Sequence, residues 1–243
     1  MHQFIKLPAP MKKIIVITLS LILSACSNES AHNEHGHHHS DTTVKDDHQH
    51  GHANHHMNKR PFEELVDHFE NPERNEWQQP DKVISFLGDL KNKTIIDIGA
   101  GTAYFEARIK EPGAKLIAAD VDDRFINYMN ERIKKDNLTN LITRKAEYEK
   151  PPVNVAEADV VFMVDVYHHI ENRVDYFKQV KQGLKPNGHL IIVDFKKGDF
   201  EVGPPDEMKL AAHEIITEMK GAGLNLTEAD STSLLYQYML KFK

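Results

Sequence analysis

The chain has 243 residues, enough for one domain and a tail. A hydrophobic content of 40% supplies a core, while a formal charge of −7 without a basic stripe argues against nucleic acid as the main partner. The one cysteine excludes a disulfide framework and a thiolate metal site.

In chain order, the first feature is an export signal. Lys12 and Lys13 precede the apolar run Ile14–Ile22, which is too short to span a bilayer. Met11 is the better start, leaving Met1–Pro10 as an extension. Leu23-Ser24-Ala25-Cys26 follows and resembles the lipobox of bacterial lipoproteins. That resemblance implies cleavage before Cys26, acylation of the new terminus and anchoring in the bacterial cell envelope, on the periplasmic side or in the outer membrane; several acyl chains anchor durably where one does not. The alternative is a short buried segment with a chance cysteine. Residues 1–25 are thus expected to be a signal peptide.

Residues 26–60 hold almost no large apolar side chains and are expected to form a disordered tether. Ten histidines lie from His32 to His56, among Glu34, Asp41, Asp46 and Asp47. Neutral imidazoles in such a tract can capture Zn²⁺ or Cu²⁺, although a solvated tether has the same composition. No metal site is expected in the domain that follows, residues 61–243.

From Pro61 onward strand and helix signals alternate, which implies βαβ units and a parallel sheet. Apolar runs predict strands at Thr94–Ile98, Lys115–Asp120, Leu141–Arg144, Ala158–Val164 and His189–Phe195. Phe125, Met129 and Ile133 mark one helix face, and Met208, Ala212, Ile215, Met219 and Ala222 another, stopped by Gly223. Lys185-Pro186-Asn187-Gly188 reads as a turn into the fifth strand. Tyr236, Tyr238, Leu240 and Phe242 alternate with polar or flexible residues as a last strand, after one at Leu224–Glu228.

The most informative stretch is Thr94-Ile-Ile-Asp-Ile-Gly-Ala-Gly-Thr-Ala-Tyr-Phe105. A strand ending in a glycine turn and feeding a helix near Thr102 would gather N–H groups and a positive helix end as an anion receptor. Asp120 lies 19 residues after Gly101 at the end of the second predicted strand, where a ribose diol is held in nucleotide-binding α/β folds. A helix-capping role for Asp120 is the alternative, but Asp122 and Asp123 stand better for capping. A dinucleotide fingerprint would need glycine at Tyr104, and no Gly-Lys-Ser/Thr follows for a phosphate loop.

Asp97-x-Gly99-x-Gly101 with a following acid resembles motif I of the class I S-adenosylmethionine-dependent methyltransferases. The resemblance covers about Phe62 to Lys243. It continues in Val166-Tyr167-His168-His169-Ile170, in the Leu184–Asp194 lead into strand five, in Lys220–Leu224, and in Asn71–Pro80, similar to the lead-in of a subgroup with exported members. It implies an α/β Rossmann-like sheet, mostly parallel with an antiparallel terminal strand and helices on both faces. It also implies that Gly99 and Gly101 admit the methionine portion of the cofactor, Asp97 its ammonium, the helix start its carboxylate, Asp120 the ribose and Glu147 the adenine amino group. Ala103 stands where the family often has a third glycine. Asp165 is expected in the pocket, and His168 or His169 as a general base; otherwise one histidine packs and the other faces solvent. Trp77 and Tyr104 are candidates for a lid or for core.

These expectations describe S-adenosylmethionine-dependent methyl transfer to a small acceptor by an anchored lipoprotein. The rival is a metal-handling lipoprotein whose domain binds a ligand without catalysis, since fold alone does not settle activity. A nicotinamide oxidoreductase is a distant third.

Overall fold

The computed structural model describes Asn54, Met57 and residues 59–243. The expected signal sequence, Cys26 and the histidines from His32 to His56 lie outside the described residues. Among the described residues three helices come first: α1 (Phe62–Phe69), α2 (Arg74–Gln78) and α3 (Pro80–Leu87). Pro80 at the first helical position starts α3, since its missing N–H would have no partner there anyway. Then follow β1 (Thr94–Ile98), β2 (Lys115–Asp120), α4 (Asp123–Lys135), β3 (Leu141–Lys145), β4 (Ala158–Val164), α5 (Arg173–Gly183), β5 (Leu184–Phe195), α6 (Ala212–Gly221), β6 (Leu226–Asp230) and β7 (Gln237–Phe242).

The seven strands form one sheet in the order β3-β2-β1-β4-β5-β7-β6. β1 to β5 are parallel, and β7 inserts antiparallel between β5 and β6. Alternation along each strand gives the sheet two packed faces. Ile95, Leu116, Val160, Phe162, Ile191 and Val193 meet α3 and Met129 of α4 on one side. Ile96, Ile117, Val161, Met163, Leu190 and Ile192 meet Phe177 and Val180 of α5 and Ile215 and Met219 of α6 on the other. Both faces are covered, which is why the central strands read as unbroken apolar runs.

Three expectations are corrected. β1 and β3 are not followed by α-helices, so the fold is not five complete βα units. After β1 the chain makes turns and one 3-10 turn, Glu106–Arg108. Gly99, Gly101 and Ala103 have φ of 78°, 57° and 59°, which a right-handed helix cannot include. Second, Lys185–Gly188 is not a turn before the strand. It lies inside β5 as extra chain, pairing jumping from Ala158↔Leu184 to Val160↔His189. Third, Met208 closes a separate 3-10 turn, Asp206–Met208, ahead of α6. Among the described residues no helix is long and apolar enough to cross a membrane.

Candidate active site

A cavity of about 490 Å³ opens over the carboxyl ends of β1, β2, β4 and β5, where open α/β sheets bind ligands. Its wall includes Gly99, Gly101, Asp120, Asp165, His168 and His169, six of the eight candidates.

The glycine loop is built by β1 and β2 together. Gly99 and Ala100 both donate N–H to Ala119 O, at 2.8 and 3.0 Å, and Ala103 donates to Ala100 O at 3.0 Å. Gly101 N–H donates to Asp120 Oδ2 at 2.9 Å. Four N–H groups of the loop therefore point into the protein, which corrects the expected anion receptor; the helix start near Thr102 that was to complete it is also absent. The glycines serve close approach instead. A Cβ on Gly99 would run into the Val166 side chain, and one on Gly101 would stand 3.3 Å from the Phe69 ring of α1. Phe69 stacks on Phe125 of α4 at 5.5 Å, so α1 lies across the loop as a cover.

Asp120 is fixed at the end of β2 by two N–H donors, from Gly101 to Oδ2 and from Asp122 to Oδ1, the latter at 2.9 Å. Burial raises its carboxyl to about 6, against those N–H bonds. A carboxylate has roughly four lone-pair sites, so both oxygens keep room for a hydroxyl donor. Asp122, not Asp120, caps α4 by accepting from Arg124 N at 2.8 Å.

Two candidates are not in the wall. Asp97 is 3% exposed and does not line the cavity; burial first, then the like charge of Glu106, raises its carboxyl well above the ordinary range. Asp97 Oδ1 and both Glu106 oxygens have no hydrogen-bond partner among the described residues. Direct contact between Asp97 and a ligand in this cavity is thus not offered. Glu147 is exposed on the loop after β3, and its neighbour Tyr148 lines the cavity in its place.

Asp165 and His168 tie the cavity to a buried polar chain spanning four elements. Asp165 follows β4 with φ 61° and accepts from Gln237 Nε2 of β7. Gln78 Nε2 of α2 donates to Gln237 Oε1 at 2.6 Å. Burial and the nearby Asp194 charge raise Asp165 to about 7. Asp194, near the end of β5, accepts from Phe195 N at 2.7 Å and from His168 N at 3.3 Å, and its two oxygens stand 3.1 Å from His168 Nδ1. Burial opposes a charge on His168, but Asp194 and then Asp165 overcome it, so this ring is raised above 6.5. With Nδ1–H donated to Asp194, Nε2 is the nitrogen open to a ligand.

His169 is different. Burial and the adjacent His168 lower it to about 3, so it stays neutral at physiological pH. Its Nδ1 lies 3.0 Å from Asn54 Oδ1, and Asn54 Nδ2 donates to His169 O at 3.0 Å. Neither histidine takes the solvent-facing place that one of them was given in the packing alternative.

Arg74 of α2 supplies the charge that sequence reasoning missed. Its Nη1 donates to Phe69 O at 3.0 Å, its Nε and Nη2 to Gln78 Oε1 at 3.3 Å, and it lies over the Tyr104 ring at 4.0 Å. Two of five N–H donors remain for a ligand. Burial, and then the charges of Arg60 and Arg74, hold His68 below 6.5, which marks this end of the cavity as positive. Trp77 lines the cavity against Phe195, whereas Tyr104 is buried in the core. Among the described residues no three His, Cys, Asp or Glu side chains converge as a metal site.

A closed glycine cradle, an acid fixed by N–H groups, an arginine with spare donors and the unpartnered buried Thr102 Oγ1 in the wall suit an adenosyl amino acid. Residues 96–192 match the model of a methyltransferase domain family. The tRNA U34 carboxymethyltransferase of Pasteurella multocida is 30% identical over 124 residues, 48% of this chain and 38% of that protein. The enzyme of the same name from Cellvibrio japonicus is 28% identical over 138 residues, 54% of this chain and 42% of that one. The chain therefore spans about two fifths of the curated relatives it matches. An S-adenosylmethionine-dependent methyltransferase structure from Aquifex aeolicus superposes with a TM-score of 0.69 at 24% identity, covering 76% of this chain and 98% of that one. A methyltransferase from Haloferax volcanii, solved with its Trm112 activator, gives 0.62 at 12% identity, covering 74% and 94%.

Proposed function

We propose, from the match of residues 96–192 to a methyltransferase domain family and the likeness of the fold to S-adenosylmethionine-dependent methyltransferase structures, that the chain transfers a methyl group from S-adenosylmethionine to a small acceptor whose proton His168 removes. Bound in the cavity, the cofactor supplies an electrophilic methyl on a sulfonium. Asp120 would hold the ribose hydroxyls, Tyr148 and Val121 would border the base, and Arg74 would take the carboxylate in place of the missing helix end. The glycines keep the loop thin enough for that approach.

The single observation that carries the reading is that Asp120 and His168, the latter paired with Asp194, line one cavity. Asp194 holds His168 with Nδ1 protonated and Nε2 free, the tautomer a general base needs, as a carboxylate does in hydrolase triads. His169, lowered to about 3, is the poorer proton acceptor and serves as packing between His168 and Asn54. Alignment in a dry site contributes up to about 7–11 kcal/mol to such transfers, so few catalytic groups are required.

A small acceptor agrees with the charge of −7 and the modest cavity. The named relatives carry tRNA in their names, which makes tRNA the competing acceptor. Incubation with methyl-tritiated S-adenosylmethionine and separated tRNA and metabolite fractions tests this. Label in the metabolite fraction is expected; label in tRNA overturns the acceptor, and label in neither favours ligand binding without catalysis.

We place the chain on the envelope through an acylated Cys26, with the histidine tract as a Zn²⁺- or Cu²⁺-binding tether. Mass spectrometry of the mature terminus and Cys26→Ser test the anchor, and a Zn²⁺ titration of the full chain followed at the histidine resonances tests the tract.

A further inference from the structure

A second groove, of about 440 Å³, adjoins the first and shares His168, His169 and Met208 with it. The two histidines therefore border a separate space as well, large enough for a small molecule. Its charges are unevenly placed. Glu171, Glu207 and Glu214 are exposed, where water screens them. Arg173 is committed to Glu218 by two contacts, at 2.7 and 3.1 Å. Lys209 is only 4% exposed, yet its Nζ donates to one acceptor, Gly198 O at 2.6 Å, and lies 4.9 Å over the Phe200 ring. Among the described residues no carboxylate comes within 4.0 Å of that ammonium. Lys197, beside it in the groove, donates among the described residues to Asp206 O alone, at 2.9 Å.

An ammonium has three donors, and buried charges are normally paired. Lys209 uses one donor on a neutral carbonyl and rests its charge on the Phe200 ring, so among the described residues two donors and a charge without a carboxylate partner remain at the groove. The loop does not need that surplus to hold its shape, because Gly198 N donates to Asp206 Oδ1 at 2.6 Å and Lys209 N to Asp206 O at 3.2 Å. We propose that this groove is an anion-accepting subsite, in which Lys209, assisted by Lys197, seats a carboxylate or phosphate of a small acceptor while its nucleophile reaches His168. The identification of the anion as part of the acceptor rests on the methyl-transfer reading; the anion seat itself does not.

Met208 touches both cavities and serves as the reporter. The full chain labelled with ¹³C-methyl methionine, its Met208 signal assigned with Met208→Leu, is titrated with sodium phosphate, sodium acetate and tetramethylammonium chloride at constant ionic strength. A saturable shift of Met208 with phosphate or acetate and none with tetramethylammonium is expected, and whichever anion binds more tightly identifies the group. Lys209→Met should weaken that binding about tenfold or more. No saturable shift with either anion, an equal response to tetramethylammonium, or unchanged affinity in a folded Lys209→Met variant overturns the subsite. If Lys209→Met does not fold, the contrast between anions and tetramethylammonium in the parent chain still decides. S-adenosylhomocysteine added to the same samples separates the two readings. Its binding without an anion response defeats the groove alone, and an anion response without nucleoside binding defeats methyl transfer alone.

Discussion

His168 and His169 are adjacent in sequence, yet their surroundings drive their proton affinities apart. His168 has Asp194 on its Nδ1 and lies above 6.5, whereas His169, its Nδ1 beside the neutral Asn54, is lowered to about 3 by burial and the adjacent His168. In a ¹⁵N-edited histidine titration the His169 ring should stay neutral from pH 8 to pH 5, while His168 takes up its proton at a higher pH than a free imidazole does; titration of both near 6.5 would contradict this. Asp194→Asn should lower kcat by about 10²–10⁴ with little change in KM, because it removes the tautomer control and not the binding surface. An unchanged pH profile in that variant would remove Asp194 from the positioning role. Gly99, Gly101, Asp120, Asp165 and the histidine pair were legible because each follows a strand whose apolar run marks its end. Asp194 had the same signal, but its partner is 26 residues away and only the packing of β4 beside β5 joins them. Arg74 lay in Asn71–Pro80, a segment noted only as a lead-in, and nothing local ties it to a glycine loop 25 residues later. Glu147 was misplaced by one residue, since the next side chain, Tyr148, is the one that faces in.

β1, β2 and β4 were readable from the sequence to their ends, because burial on both faces leaves continuous apolar runs, whereas β5 starts five residues earlier than expected and the largely exposed β6 is displaced by two. The connections were less readable. A helix after β1 was expected from the βα pattern, but Ala103 takes a positive φ that its side chain gives no sign of. The glycine loop is held between β2 and α1, so substitutions there should act through backbone and packing together. Gly99→Ala should cost about 2–4 kcal/mol, from left-handed strain plus a clash with Val166. Gly101→Ala should cost less, about 1–2 kcal/mol, because the Phe69 ring can move aside. Urea unfolding of the two variants checks the order; equal costs would mean that Val166 yields freely.

At the scale of the molecule, buried ionisable groups make stability depend on pH in opposing directions. His169 is neutral in the fold and accepts a proton when unfolded, so its contribution is present above 6.5 and is lost as pH falls toward 3. Asp120 and Asp165, raised to about 6 and about 7, act the other way, and stability falls as pH rises from 3.8 through those values. His169→Asn should therefore flatten the acid side of the stability curve between pH 6.5 and 3. A ligand that meets Asp120 needs that carboxyl ionised, so nucleoside affinity should climb as pH passes 6.

The most direct measurement is the melting temperature of the full chain, at pH 7.5, with S-adenosylhomocysteine at 100 times its dissociation constant. Binding to the cavity predicts a gain of about 2.7 kcal/mol, or about 5–10 °C, that Asp120→Ala abolishes. A melting temperature unmoved by the nucleoside in a well-folded sample, or a shift of full size in Asp120→Ala, would contradict the assignment of this cavity.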